Sequence, residues 1–267
     1  MNKLISSFYH KYTKSELKIA EYVISNDITY KSIVELAKEI QVGEATILRF
    51  CKKIGFSGFY DFKISYAKAQ NDEEKIEELN TVDRVYNIYQ EVISMTKSRV
   101  TMDSIVEATN LIHQAKDILI FGVGNSGVTA KQVEAVLQRK AYLARAISDP
   151  HFQAIVAATL SKESLVLAIS LSGYTTDIIE SVQIAKKNGA KIIAITNFSD
   201  SRLGQIADVS VLTTSKENPL EGGALSTQIS QLFTLDLLFH QLDESNKALV
   251  KEIKEKTAKA ISKKIVY

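Results

Sequence analysis

Cysteine and histidine are scarce in this sequence. The 267 residues include one cysteine and four histidines. A single cysteine excludes a disulfide framework and a cysteine-rich zinc site, and it is typical of proteins that fold in a reducing compartment. The histidines are scattered and do not pair as metal ligands do: His10, His113, His151 and His240. We therefore expect a cytoplasmic protein without a metal site and without a cofactor.

Long apolar runs are also missing. No run is long enough to span a membrane, and residues 1–14 hold no continuous apolar segment of the signal-peptide kind. The two prolines, Pro150 and Pro219, argue against a proline-rich linker. The net charge is only +2, so any signal for nucleic acid must be local. Hydrophobic residues make up 45% of the chain, which is enough for one large domain or two ordinary ones.

A hydroxyl-rich loop follows residues 165–170, an apolar run that we predict to be a buried parallel strand. The loop residues of interest are Ser170, Ser172, Gly173 and Thr175, and a helical pattern begins directly after them. A helix N-terminus offers free N–H groups and a positive dipole end. The hydroxyls exceed what a turn requires, so the loop is suited to a phosphate bound without a metal.

A second loop of this kind follows the predicted strand 118–121 and precedes a helix predicted from about 128 to 139. Its residues of interest are Gly124, Asn125 and Ser126. One such loop is most simply explained as an ordinary helix cap. Two of them after two parallel strands face one crevice of an open α/β sheet, where such folds bind ligands. The pair therefore favours a binding site.

Strand and helix patterns alternate from residue 116 onward. This alternation predicts an α/β doubly wound parallel sheet of five strands, at 117–121, 141–147, 165–170, 191–196 and 208–212. His151 follows Asp149-Pro150 in the first turn of a helix; it either points into the crevice or bonds to the backbone. Glu221 precedes the last helix and either accepts hydrogen bonds from hydroxyl groups of a ligand or favours a helix N-terminus.

Residues 1–70 carry helical signals only. Capping boxes beginning at Thr13 and Ser32 each precede an apolar helical stripe. A third short helix is predicted over about 44–53. The apolar residues of the second and third helices have the spacing of a helix-turn-helix: Leu36, Ile40, Val42, Ile47 and Phe50.

Positive charge is concentrated in this region. The first 70 residues hold eleven Lys or Arg and seven Asp or Glu, a net charge of +4. Arg49, Lys52 and Lys53 fall on the exposed side of the third helix. A solvated basic face accounts for three charges taken alone, but on the second helix of a helix-turn-helix a DNA-facing role is favoured. We expect Thr46 and Arg49 at base edges and the two lysines on phosphates, with Glu44 in the same contact set.

Residues 33–38 and 44–63 resemble the amino-terminal signature of the RpiR family of bacterial transcriptional regulators. The most specific parts are Arg-Phe-Cys at 49–51 and Gly-Phe-Ser-Gly-Phe at 55–59. That family joins a helix-turn-helix domain to a sugar-isomerase-type (SIS) phosphosugar-binding domain, which the two hydroxyl-rich loops resemble.

The resemblance implies three segments. They are a helix-turn-helix DNA-binding domain at 1–70, a linker and connecting helix at 71–110, and a SIS-type domain at 111–267. The apolar stripe from Val82 to Met95 lies in the connecting helix, where it packs either on the second domain or on another subunit. Three places depart from the family pattern: Gly43 replaces a serine N-cap, Gln41 replaces a turn glycine, and Thr227-Gln228 replaces a Ser-Arg pair.

The function implied is that of a transcriptional regulator of carbohydrate metabolism. Its partners would be double-stranded operator DNA and a phosphorylated sugar that controls operator binding, and it would act as a homodimer or homotetramer. The main alternative is a sugar-phosphate isomerase that uses the same pocket, for which only Glu221 and His151 are available as acid and base. A third reading is a sugar-phosphate-binding module that regulates another protein. The enzyme reading leaves the amino-terminal helices without a role, so we expect no enzyme.

Overall fold

The computed structural model describes residues 1–71, 80–214 and 225–262, and the chain divides into two compact units. Of these residues, 1–71 and 80–87 belong to the first unit, and 88–214 and 225–262 belong to the second. Five helices form the described part of the first unit before residue 80: α1 Asn2–Ser7, α2 Lys14–Ser25, α3 Ile33–Ile40, α4 Glu44–Lys53 and α5 Phe59–Asn71. A 3-10 turn, Tyr9–Lys11, separates α1 from α2.

Both predicted capping boxes are present. The Thr13 hydroxyl accepts from the Glu16 N–H ahead of α2, and the Ser32 hydroxyl accepts from the Glu35 N–H ahead of α3. In each box the glutamate side chain accepts in return from the N-cap N–H. The boxes satisfy N–H groups that a helix start otherwise leaves without a partner, so these helices begin where the local sequence dictates.

The turn between α3 and α4 is tight. Gln41 adopts a left-handed conformation, with φ 58° and ψ 50°, and the N–H of Val42 donates to the carbonyl of Ala37 at 2.9 Å. A side chain in this conformation costs about 1–2 kcal/mol, which explains why glycine is common at such turns. Helix α4 starts behind Gly43, which supplies no capping side chain.

An aromatic and aliphatic core joins these helices. The rings of Phe50 and Phe62 meet edge to face with centroids 6.0 Å apart, and Ile47 and Leu36 are fully buried beside them. Cys51 is fully buried in the same cluster, and burial raises the pKa of its thiol to about 12. The face of α4 that carries Ile47, Phe50 and Cys51 is thus committed to the core, and its opposite face lies on the surface.

The second unit is a parallel five-stranded sheet in the order β2-β1-β3-β4-β5, flanked by helices. Its strands are β1 Asp117–Phe121, β2 Ala144–Ile147, β3 Ser164–Ile169, β4 Lys191–Thr196 and β5 Val209–Leu212. Helix α6, Thr81–Arg99, begins in the first unit and ends in the second. The other helices of the second unit are α7 Met102–Gln114, α8 Asn125–Arg139, α9 Pro150–Ala157, α10 Thr176–Lys187, α11 Arg202–Ile206, α12 Leu225–Ser245 and α13 Lys247–Ser262. The predicted fold class is confirmed.

Alternate residues of each strand supply the two faces of this sheet. Ile118 and Ile120 join one buried cluster, whereas Leu119 and Phe121 join another. The central strand β3 is buried along its whole length. Because both faces are covered, the strands are near-continuous apolar runs, and their carboxyl ends alone are left for polar chemistry.

Two predicted boundaries were wrong. Strand β2 starts at Ala144 rather than at residue 141, because Ala141 takes a left-handed conformation (φ 65°) that ends α8. There the Tyr142 N–H donates to the carbonyl of Leu137 at 3.0 Å, so these residues belong to a helix end. Helix α8 starts at Asn125 rather than near residue 128, which moves Asn125 and Ser126 from the loop into the first helical turn.

The apolar stripe of α6 is divided between surface and interior. Val82 and Val85 are 77% and 43% exposed, whereas Val92 is 1% exposed. Within the three described ranges, no helix is long and apolar enough to cross a membrane.

Candidate functional site

The loop after β3 is folded on its own hydroxyl groups. Ser170 Oγ accepts from the N–H of Gly173 at 3.2 Å and lies 3.0 Å from Thr175 Oγ1. The Gly173 N–H also reaches the Ser170 carbonyl at 3.1 Å. The structure thus brings three of the predicted loop residues into direct contact, and the loop has a fixed shape.

Gly173 is required by that shape. It has φ +66°, and a Cβ atom there would lie 2.0 Å from Ser201 Oγ. Its carbonyl accepts from the N–H of Leu203 at 3.0 Å, so the loop packs against the start of α11. A side chain at this position would be strained and would also displace the neighbouring helix.

The same loop presents donors at the start of α10. The Ser172 hydroxyl is exposed and accepts from the Tyr174 N–H at 3.1 Å, which leaves its hydrogen to donate. Within the part of the chain that the structure describes, the Thr175 side chain does not cap α10. The first N–H groups of a helix have no partner inside the helix, and the dipole makes this end positive. The arrangement is suited to an anion.

The loop after β1 faces the same edge of the sheet, because β1 and β3 are parallel neighbours with Phe121 in register with Ala168. Gly124 is the N-cap of α8 with φ 59° and ψ −130°, a combination open essentially to glycine. Ser126 follows in the first turn of α8 and accepts a hydrogen bond from Gln231 Nε2 at 3.1 Å. A second uncapped helix start is therefore present at this edge.

Asn197, which follows β4, connects the loop after β3 to α6. Its N–H donates to the carbonyl of Leu171 at 2.9 Å, and its carbonyl accepts from Arg99 Nη2 at 2.6 Å. The Asn197 side chain also accepts from the Thr213 hydroxyl. Sequence reasoning singled out neither Arg99 nor Gln231, since each lies about a hundred residues from its partner and no local pattern marks the contact.

The surface of α4 carries the residues expected to contact DNA. Glu44, Arg49 and Lys52 are exposed, and Thr46 is half-buried. Arg49 Nη2 donates to Thr46 Oγ1 at 3.1 Å, so these two side chains form one polar group on the helix. Long cationic side chains on an exposed helix face are complementary to a polyanion.

Lys53 is directed elsewhere. Its Nζ lies 2.5 Å from Glu16 Oε2 and 3.1 Å from the carbonyl of Lys11. Glu16 is 3% exposed; burial alone would raise the pKa of its carboxyl, but hydrogen bonds from Lys53 and Thr13 outweigh burial and hold the pKa below its usual value. The ammonium group of Lys53 thus joins α4 to α2, an arrangement that the sequence did not predict and that competes with the expected phosphate contact.

Two predicted residues remain, Glu221 and His151. Glu221 lies outside the described residues. His151 is exposed in the first turn of α9, behind Asp149, whose side chain accepts from the Phe152 N–H as an N-cap. No group of three or more metal-ligating side chains occurs among the residues that the structure describes.

Family models match both halves of the chain. Residues 1–73 match a helix-turn-helix domain of the rpiR family, and residues 111–241 match a SIS domain. An uncharacterized HTH-type transcriptional regulator of Haemophilus influenzae is 33% identical over 276 residues, which cover 98% of this chain and 96% of that protein. The HTH-type transcriptional regulator RpiR of Escherichia coli K12 is 31% identical over 245 residues, covering 88% and 83%.

A solved structure is similar along the whole length. It is that of the Vibrio vulnificus NanR protein complexed with ManNAc-6P, which is 25% identical in sequence. The match covers 100% of this chain and 99% of that chain, with a TM-score of 0.89.

Proposed function

We propose, from the premise that this chain belongs to the RpiR family of helix-turn-helix transcriptional regulators with a SIS domain, that a sugar phosphate bound in the SIS domain controls its binding to operator DNA. The observation that carries the proposal is the hydroxyl-lined loop at the uncapped start of α10. It offers neutral donors and a positive helix end to a phosphate.

The proposed ligand site uses both loops. Ser170, Ser172 and Thr175 donate to the phosphate together with the first N–H groups of α10, and Gly173 lets the backbone approach. At the start of α8, Gly124, Asn125 and Ser126 contact the phosphate or the sugar. Glu221 accepts from a sugar hydroxyl. The ManNAc-6P bound to the similar NanR protein supports a phosphorylated sugar as the ligand class.

The proposed DNA surface is the exposed face of α4. Thr46 and Arg49 reach base edges in the major groove, Glu44 lies at the start of the same helix, and Lys52 neutralises a phosphate. Lys53 keeps α4 in place through Glu16.

The proposed assembly is a homodimer or homotetramer in the cytoplasm. One helix in one groove gives limited specificity, and two-fold operators require two-fold proteins. The exposed Val82 and Val85 on α6 are apolar surface for such an assembly. We expect sedimentation at micromolar concentration, with operator present, to give a dimer or larger, and a monomer would contradict the assembly.

An isomerase is the competing function, and we propose that the chain is not an enzyme. Isomerisation needs a base beside the C1 and C2 carbons of the sugar, and His151 is an exposed residue of α9 rather than part of the hydroxyl cluster. Measurable aldose–ketose interconversion by the purified chain would overturn this part of the proposal.

The deciding experiment is a thermal-shift screen followed by DNA binding. The probe panel contains hexose 6-phosphates, N-acetylhexosamine 6-phosphates including ManNAc-6P, and pentose 5-phosphates, each matched by its unphosphorylated sugar. A probe at a hundred times its Kd stabilises the folded chain by about 2.7 kcal/mol. We expect at least one phosphorylated member to raise the Tm and to change operator affinity in a mobility-shift assay, with no effect of the matched free sugar.

A further inference from the structure

Gln231 on α12 is a fully buried amide with a hydrogen bond at each end. Gln231 is only 1% exposed. Nε2 donates to Ser126 Oγ at 3.1 Å, and Oε1 accepts from Thr129 Oγ1 at 2.7 Å. Both partners belong to α8, so one side chain of α12 is bonded to two successive turns of the helix that begins at the ligand crevice.

Thr129 is the partner of the amide oxygen. It is 0% exposed, and its hydroxyl lies closer to Gln231 Oε1 than to the other acceptor within reach, the Asn125 carbonyl at 3.3 Å. Since Oε1 can only accept, the hydroxyl hydrogen of Thr129 points at it and the NH₂ group faces Ser126. Gln228, one turn earlier on α12, donates to the Asn125 carbonyl at 3.4 Å. The first turn of α8 is thus held by two amides of α12.

The direction of the amide decides what Ser126 can do. A hydroxyl has one hydrogen and two lone pairs. The Gln231 N–H occupies one lone pair of Ser126, so the hydrogen remains for an acceptor outside the pair. Ser126 is half-exposed at the crevice, in the first turn of α8, where the N–H groups of Gly127 and Val128 both donate to the Gly124 carbonyl.

We propose that Gln231 is a positioning residue of the sugar-phosphate site, which acts through Ser126 by fixing its hydroxyl as a donor to the ligand. The inference deepens the proposed function and rests on it. A hydroxyl held as a donor favours a phosphate oxygen, which only accepts, over a sugar hydroxyl. Gln231 therefore contributes to the preference for the phosphorylated form of the sugar without touching it.

The test is a double-mutant cycle on the full chain, measured by calorimetry. The probes are the panel member with the largest thermal shift and inorganic phosphate. Ser126→Ala removes the donor and weakens the sugar phosphate about tenfold, the effect of one hydrogen bond to a charged group. Gln231→Met keeps the length of the side chain but leaves the Ser126 hydroxyl unoriented. This variant binds the sugar phosphate about threefold more weakly. In the double variant the affinity equals that of Ser126→Ala alone, because Gln231 has nothing left to position.

Two further variants separate positioning from packing. Thr234→Val removes another buried hydrogen bond of α12, to the Leu212 carbonyl at 3.2 Å, and lowers the Tm without changing affinity. Thr129→Val keeps Gln231 but removes the hydroxyl that holds its amide oxygen. It therefore lowers the affinity for the ligand when Ser126 is present, and it does not change the affinity in the Ser126→Ala chain. This second cycle decides the question if Gln231→Met does not fold.

The possible outcomes test the positioning role of Gln231 separately from sugar-phosphate binding itself. If the losses of binding free energy are additive in the double variants, Gln231 does not act through Ser126, and the proposed sugar-phosphate site is unaffected by that result. Failure of the unmodified chain to bind any panel member or inorganic phosphate would overturn the proposed function, and the inference with it.

Discussion

The two candidate surfaces of this molecule are both suited to phosphate groups, but they are built in opposite ways. On α4 the candidate groups are long side chains, Arg49 and Lys52, which extend from an exposed helix face. In the sheet unit they are short hydroxyls and backbone N–H groups on a loop that is bonded to itself. The first surface attracts through net charge, which salt screens, whereas the second depends on the position of donors. Four predictions test this contrast, beginning with the largest effect.

Gly173→Ala should be the most damaging change to the crevice. The left-handed backbone and the 2.0 Å approach to Ser201 Oγ together should lower the free energy of unfolding by roughly 2–4 kcal/mol and weaken the sugar phosphate more than tenfold. Denaturant unfolding and calorimetry measure the two effects. The matched control is Gly189→Ala, also at positive φ (+91°) but 3.6 Å from its nearest neighbour, Lys162. It should cost about 1 kcal/mol and leave binding intact; equal binding by both variants would contradict the role of loop shape.

Arg49→Ala should remove roughly 1–3 kcal/mol of specific operator binding and less of the binding to random DNA. The reason is that a bidentate contact to a base carries sequence information. Titration of operator and scrambled duplexes at one salt concentration measures both. Lys68→Ala, which removes an exposed cation from α5, is the control for net charge. If operator and random DNA lose affinity equally, Arg49 is a phosphate contact instead.

Ser172→Ala should weaken the sugar phosphate about tenfold, since a hydrogen bond to a charged group contributes roughly 1.5–3 kcal/mol. Operator affinity without ligand should not change. Ser161→Ala is a close control: Ser161 is exposed at the other end of β3, and its Oγ likewise accepts from the N–H two residues later, that of Glu163, at 3.3 Å. Calorimetry that shows the same affinity for both variants would place the phosphate elsewhere.

The smallest effects should separate two adjacent lysines. Lys52→Gln should reduce the slope of log affinity against log salt by about 1, because one phosphate contact is lost. Lys53→Gln should leave that slope unchanged and lower the stability of the first unit by roughly 1 kcal/mol, since it removes the partner of buried Glu16. A reduced slope for Lys53→Gln would restore Lys53 as a phosphate contact.

The acid dependence of stability provides a second measure of that ion pair. Because the pKa of Glu16 is lower in the folded chain than its usual 4.5, the stabilisation is present above pH 4.5 and is lost as the pH falls through the folded-state pKa. In Lys53→Gln, burial of Glu16 remains without the cation, so the pKa rises and this loss on acidification should shrink. Thermal melts between pH 6 and pH 3, a range of about 1.5 units on each side of the usual pKa, compare the two chains.

The sequence was most informative where structure is decided locally. The capping boxes at Thr13 and Ser32, the bounds of α4 and the existence of the five strands follow from residues that are neighbours in the chain. The same holds for the hydroxyl-rich loops, because a glycine and a run of hydroxyls before a helix have a physical meaning that needs no partner. Family resemblance then supplied the link between the two regions.

What the sequence could not predict is contact between distant residues. Lys53 looks like any other surface cation of α4 until α2 brings Glu16 beside it, 37 residues away. Gln231 appears as one of several polar residues of α12 until the packing of that helix places it against Ser126, 105 residues away. The start of the strand predicted from residue 141 was wrong because Ala141 adopts a left-handed conformation, which its residue type does not indicate.

The burial of Cys51 has a practical consequence for optical measurements. The only thiol of the chain, that of Cys51, is buried, and with a pKa of about 12 it is protonated at neutral pH. Because maleimide dyes react with an accessible thiolate, they will not label Cys51. Cysteines introduced at exposed Tyr60 and Leu143, one in each unit, would therefore be labelled in an otherwise natural sequence. Energy transfer between the two dyes would then report in real time whether a sugar phosphate changes the separation of the DNA-binding and SIS regions.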